Sequence, residues 1–234
     1  MAASSIAGRG ARRKVGGKAG LTINRVIEVA RTIDPEALTM QSVADALGVD
    51  RKALNHHVHD RNTLMSLVAL DAFSSAFSAA EHTHYAGWED ACRDYARRFT
   101  TSVIATGPLS EHIHLLASDS SRFLEPTEAL LGLLIEAGLN DEDAMRSAAL
   151  LTNICFAFAR DVVQHARMGT SPRAAVLRAQ LALRDGNEFP ILSRIAGLPA
   201  TTYDERQFSF SIDAFIHGVR AMLQTEQSGH QVEK

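Results

Sequence analysis

The 234-residue sequence predicts an all-α protein in which an N-terminal three-helix head containing a helix-turn-helix is joined to an all-helical body. Three observations predict it. Apolar residues recur at helical spacing along most of the chain. Glycines and prolines punctuate these periodic runs where helices stop and start. No segment sustains the period-two alternation with β-branched enrichment that marks a strand.

The elements follow in order. Residues 1–20 are rich in glycine, hold Arg9, Arg12, Arg13, Lys14 and Lys18, and contain no acid, so they read as a disordered basic arm. Thr22 is an N-cap for a helix whose one-faced stripe is Ile23, Val26, Ile27, Ala30 and Ile33. Asp34-Pro35 stops it. A second helix spans about 39–47, with Val43, Ala44 and Leu47 facing inward, and Gly48 supplies the left-handed turn that ends it. Asp50 caps a short third helix from Arg51 to about His57, and Leu54 is its inward residue. A fourth helix starts near Asp60 and carries Leu64, Leu67, Val68 and Phe73 into the body. Residues 21–66 thus form the head and 67–234 the body. Body helices are expected at roughly 88–106, 109–118, 126–137, 141–168, 172–185 and 204–224, with 186–203 a loop holding one short turn at most.

Bulk properties narrow the class. Hydrophobic residues make up 46% and charged residues 22%, ordinary values for a chain that buries a real core. No run of eighteen apolar residues exists, and no apolar segment follows the basic N-terminus, so neither a membrane span nor a secretory signal is expected. Cys92 and Cys155 lie inside helical patterns without metal or redox spacing; they read as buried thiols, and the expected location is cytoplasmic. The formal net charge of −3 is unevenly spread. Residues 1–61 carry ten basic against six acidic side chains, whereas 62–234 carry fourteen against twenty-one. A basic head on an acidic body is what a protein that touches nucleic acid with its head alone would show.

The segment TMQSVADALGVDRKALNHHVHDRNTL, residues 39–64, gives that charge a geometry. Ala44 is small enough for two helices to approach, Gly48 makes the turn, and Val49 and Leu54 fill the angle between them. This arrangement presents the second helix of the pair to a major groove. The outward residues of that helix are Arg51, Lys52, Asn55 and His56, all hydrogen-bond donors suited to base edges or phosphates, and none is acidic. A purely structural hairpin has no reason to exclude acids there.

The pattern L-T-x-x-x-V-A-x-x-L-G-V, then A-L-x-x-H-V and a basic residue opening a helix, resembles the tetracycline-repressor (TetR) family. The resemblance runs from about residue 22 to 224, with FPILSRIAGL and FSFSIDAFIHGVRAML similar to the closing segments of the tetracycline-repressor subgroup. It implies a homodimer that binds double-stranded operator DNA, represses transcription and leaves the DNA when a small effector binds the body. On this resemblance Gln41 is a base-reading position, Arg51 and Lys52 face the groove, His57 and Arg61 contact phosphates, and Thr39 contacts the backbone. Asn55 replaces a tyrosine common in the family. His57 has a second reading as a ring packed between the third and fourth helices. The basic arm has two readings as well, a minor-groove contact or solvated chain.

The body is read as the dimerisation and ligand-binding domain. Helix 204–224 carries one stripe of Phe208, Ile212, Phe215, Val219 and Met222 and another of Phe210, Ala214 and Gly218, so it is buried on two sides. Helix 141–168 is apolar around much of its circumference through Leu150, Leu151, Ile154, Cys155, Phe156, Phe158, Val162 and Val163. A four-helix interface between two copies explains both; packing inside one chain is the alternative. The effector is expected among Tyr95, Phe99, Val103 and Leu131, with His114 and Asp161 as its polar contacts. The resemblance matches His114 and Asp161 to positions that hold a magnesium ion in tetracycline repressors. Tyr95, Ala117 and Leu130, standing where the subgroup grips the drug, point away from tetracycline itself. No cofactor and no dedicated metal site are expected, and an effector-borne divalent ion is the lesser alternative.

Two other functions compete. His114 and Asp161 as base and orienter make a small enzyme conceivable, yet no nucleophile, phosphate loop or metal-ligand spacing accompanies them. A helical adaptor without DNA binding conflicts with the intact basic recognition helix.

Overall fold

The structure, a computed structural model, describes residues 20–78, 85–114, 124–168, 172–186, 188–198 and 202–232. The helices are α1 (Ile23–Ala30), α2 (Met40–Leu47), α3 (Arg51–Asn55), α4 (Arg61–Ser78), α5 (Trp88–Ala105), a 3-10 helix (Gly107–His112), α6 (Leu124–Glu136), α7 (Asp141–Met168), α8 (Pro172–Leu181), α9 (Pro190–Ala196) and α10 (Glu205–Val232). There is no strand among the described residues. The expected all-α architecture with an N-terminal helix-turn-helix is what the chain adopts.

Local chemistry sets the head. Thr22 caps α1 by accepting the Arg25 N–H at 3.3 Å. Thr39 and Ser42 cap α2 reciprocally: the Thr39 hydroxyl accepts the Ser42 N–H at 3.0 Å, and the Ser42 hydroxyl accepts the Thr39 N–H at 2.9 Å. Gly48 closes α2 at φ 66°, ψ 33°, a left-handed conformation that costs glycine little. Asp50 caps α3 through the Lys52 N–H at 2.6 Å. Val26, Ala30, Leu38, Val43, Ala44, Leu54, Val58 and Leu64 are all buried and hold the three helices on the start of α4. Each of the larger side chains contributes about 1.5–3 kcal/mol by leaving water.

Helix α4 carries this core into the body. Its Val68, Phe73 and Phe77 are buried, and it packs on α5 and on the 3-10 helix. The body is centred on α5 against α7, with α6 and α10 on their flanks. Arg31 of α1 pairs with Asp71 of α4 at 2.8 Å, and Arg220 of α10 grips Glu89 of α5 at 2.5 Å.

The structure corrects five boundaries: α8 ends at Leu181 and α10 runs on to Val232, where 185 and 224 were expected, and three others differ as follows. The helix expected at 109–118 is a 3-10 helix over Gly107–His112 that ends at Ile113, in extended conformation; residues 115–123 lie outside the described residues. Gly107 sits at φ 54°, and Pro108 in the first turn has no N–H to give. The expected 186–203 loop contains α9, whose Pro190 occupies its first turn. Helix α6 begins at Leu124, ahead of Pro126, because proline is tolerated within a first turn. The basic arm expected over 1–20 lies outside the described residues save for Gly20.

Candidate nucleic-acid interface and effector region

The two-helix unit exposes one continuous polar face. Gln41, Arg51, Lys52, Asn55, His56 and His57 are exposed, whereas Leu54 and Val58 between them are fully buried. The exposure of His57 removes its alternative reading as a packed ring. A groove of about 260 Å³ runs between the start of α2 and the start of α4, lined by Thr39, Met40, Gln41, Arg51, His59, Asp60 and Arg61.

The acids of this region are each engaged by a donor. Asp45 accepts the Gln41 side-chain amide at 2.8 Å, which holds that amide on the α2 surface. Asp50 is occupied by its cap. Asp60 accepts the Thr63 N–H at 2.7 Å, and that bond holds its carboxyl below the ordinary range. Arg61 has a role that sequence reasoning missed. Its Nε donates to the Leu38 carbonyl at 2.8 Å, tying the first turn of α4 to the α1–α2 connection. A side chain to carbonyl bond across 23 residues leaves no local signal in the sequence.

In the body, Tyr95, Phe99 and Val103 lie along the buried face of α5, and Leu131 is partly buried on α6. Tyr95 and Phe99 stack with centroids 6.0 Å apart. Phe99 meets Phe73 edge-on at 5.0 Å, Phe77 at 5.7 Å and Phe156 of α7 at 6.1 Å. The Tyr95 hydroxyl lies 3.2 Å from the Thr152 hydroxyl, and burial raises its phenol above the usual value. Phe73, Phe77, Thr152 and Phe156 therefore complete an aromatic cluster of which the sequence named only part. The clue to Phe77 was the i+4 repeat from Phe73 along α4.

His114 and Asp161 are not brought together. His114 is exposed just beyond the 3-10 helix, and Asp161 is bound by Arg173 of α8 at 2.5 Å. Among the described residues no group of three or more His, Cys, Asp or Glu side chains is placed to hold a metal ion. With Asp161 already paired to Arg173 and His114 exposed without a second ligand beside it among the described residues, this pair does not fit an ion held between the two side chains. Cys92 and Cys155 are free and buried, and burial pushes both thiols up to about 12. No helix among the described residues is long and apolar enough to cross a membrane.

Comparison with known proteins places this geometry in a wider group. The family model for the tetracyclin repressor-like C-terminal domain matches residues 82–223. The tetracycline repressor protein class E of Escherichia coli is 26% identical over 220 residues, spanning 88% of this chain and 93% of that protein. Among solved structures, a possible TetR family transcriptional regulator from Streptomyces coelicolor A3(2) superposes with a TM-score of 0.68 at 21% identity, covering 85% of this chain and 98% of its own. ActR from Streptomyces coelicolor, in complex with actinorhodin, superposes with a TM-score of 0.64 at 23% identity, covering 87% and 97%. At such identities these structural likenesses are of fold.

Proposed function

This chain belongs to the tetracycline repressor-like family of transcriptional regulators, and from that premise we propose that it is a homodimeric repressor released from its operator by a small molecule. One observation carries the reading: the exposed residues of α3 and its end, Arg51, Lys52, Asn55 and His56, are all donors, and Asp45, Asp50 and Asp60 around them each accept a bond within the protein. Gln41, Arg51, Lys52, Asn55 and His56 face bases, and Thr39, His57 and Arg61 face the phosphate backbone. Residues 21–66 act as the reading head and 67–234 as the sensing and dimerising body, with the boundary inside α4.

The effector belongs in the body, among Tyr95, Phe99, Val103 and Leu131. The aromatic lining favours a flat, largely apolar compound over a highly polar one. His114, exposed just past the 3-10 helix, is the polar contact assigned to the effector, and Asp161, paired with Arg173, is a second candidate apart from it. Dimerisation uses α7 and α10. The stripe of α10 with Phe208, Ile212, Phe215 and Val219 is buried within the chain, whereas Phe210, 69% exposed, with Ala214 and Gly218 leaves a second apolar face open.

The test starts from a duplex selected by the protein out of a random DNA pool. Binding to a near-palindromic duplex, followed by release on adding one compound from a panel that includes actinorhodin and tetracycline, is the expected result. Retention of no duplex by a folded dimer would end the regulator reading. Thermal shift identifies the compound, because a ligand specific to the folded state stabilises it by mass action.

A further inference from the structure

The groove between α2 and α4 contains a residue that the reading above leaves unassigned. His59 lines it together with Thr39, Gln41, Arg51 and Arg61, four side chains assigned to DNA. His59 is exposed, as are His56 and His57, so three imidazoles occupy four consecutive positions at the end of the recognition helix. We propose that His59 belongs to the DNA-contacting surface and that, with His56 and His57, it makes operator affinity proton-linked, tightening as the pH falls from about 8 to about 6. The proposal rests on the head being the DNA-binding surface.

The argument is one of charge. DNA presents closely spaced phosphates, and an anion beside an imidazole favours its protonated form. A surface that gains protons on binding must bind more tightly at lower pH. The charged groups around the three rings are few. On α3 they are Arg51, Lys52 and Asp50; from α2 comes Asp45; from the start of α4 come Asp60 and Arg61. Asp45 is engaged by the Gln41 amide, Asp50 by the Lys52 N–H and Asp60 by the Thr63 N–H. Each of these carboxylates accepts one bond within the protein and keeps its charge, and the incoming phosphates are the new anions that the rings meet when DNA docks. Asp60 is the one carboxylate in the groove itself, and its electrostatic neighbour there is His59.

The experiment uses the full chain and the selected duplex, with affinity measured by fluorescence anisotropy at pH 6, 7 and 8 and constant ionic strength. Each proton taken up steepens affinity by at most about tenfold per pH unit. The wild type should bind about tenfold or more tightly at pH 6 than at pH 8, with a steeper salt slope at the lower pH. His59→Gln should lower that ratio, and the combined His56→Gln, His57→Gln, His59→Gln variant should bring it close to one. His165→Gln, in the body, should keep the wild-type ratio. Circular dichroism and light scattering confirm that each variant is a folded dimer. Calorimetry in two buffers of different ionisation heat should register proton uptake on binding by the wild type. A flat wild-type profile, zero proton uptake, a wild-type ratio in the triple variant, or a wild-type ratio in His59→Gln overturns the proposal. Loss of all duplex binding at every pH in a folded wild-type dimer overturns the DNA reading with it, so the two failures are distinct.

Discussion

On the proposed reading Gln41 and Asn55 differ from Arg61 in what they touch, and their variants should separate accordingly. If Gln41 and Asn55 present amides to base edges as proposed, replacing either by Ala should relax sequence preference and cost about 1–3 kcal/mol on the selected duplex. Binding curves ranked over duplex variants check this, and an unchanged ranking removes both from the reading surface. Arg61 has two duties. Its Nε bond to the Leu38 carbonyl holds the head together, whereas the rest of its guanidinium faces the groove. Arg61→Ala should therefore weaken all sequences alike, lower the salt slope by about one and also lower the thermal midpoint. The phosphate contact was expected from the family resemblance; the bond to Leu38 left no sign in the sequence, because it depends on a carbonyl brought close only by folding. The cysteines make a separate prediction. With both thiols pushed up to about 12 by burial, they stay protonated at neutral and mildly alkaline pH. Iodoacetamide at pH 8 should leave Cys92 and Cys155 unmodified in the native protein and label both in denaturant, as mass spectrometry will show.

At the scale of the element, the turn between α2 and α3 depends on Gly48. A Cβ there meets no atom within 4 Å, so the cost of substitution is conformational and not steric crowding. At φ 66°, Gly48→Ala should destabilise the head by about 1–2 kcal/mol, and Gly48→Asn by less. Denaturant unfolding measures both, and equal stability of all three proteins would contradict the left-handed turn. Local signals of this kind explain why the head was legible: Thr22, Thr39, Gly48 and Asp50 each declare a helix end through their own side chain or its absence. The body was harder. The short Pro190–Ala196 helix follows a proline start and an Ile191, Leu192, Ile195 stripe, but it buries none of its residues within this chain, so periodicity alone gave it little weight. The described part of the expected 109–118 helix differs for another reason. The apolar period continued past His112, yet Gly107-Pro108 tightened the first turns into a 3-10 helix. The two stripes of α10 were legible, and their different exposure bears on assembly. Ala214 and Gly218 are both exposed within one chain. Ala214→Arg or Gly218→Arg should leave the chain's helicity intact and convert the dimer to monomer or aggregate by light scattering. A stable, folded dimer from either variant would move the interface elsewhere.

For the whole molecule, the question is how a compound in the body changes what the head does. A ligand shifts an equilibrium only through different affinity for the two states. Here α4 belongs to both regions. Its first turn is fixed to the head by Arg61, its Asp71 pairs with Arg31 of α1, and its Phe73 and Phe77 lie in the aromatic cluster with Tyr95 and Phe99. The 3-10 helix packs on the same α4 and also on α5 and α7, so it links the cluster to the linker from the other side. His112 stands in that link: burial holds its imidazole below the ordinary value, and Arg61 is among the charges that act on it. Binding and coupling should therefore be separable by mutation. Tyr95→Phe and Phe99→Leu alter the cluster with little change of volume, so they should weaken the compound found by thermal shift while leaving DNA affinity near wild type. Leu109→Ala, in the 3-10 helix, should do the reverse: the compound still binds, but the factor by which it lowers DNA affinity falls, because coupling and binding are distinct free energies. His114→Ala, measured with and without a chelator, decides whether an ion travels with the compound. Release that survives the chelator in wild type eliminates the ion, and release unchanged in His114→Ala removes that residue from the site. Equal loss of compound binding and coupling in Leu109→Ala would show that the 3-10 helix is part of the pocket wall and not the lever on α4.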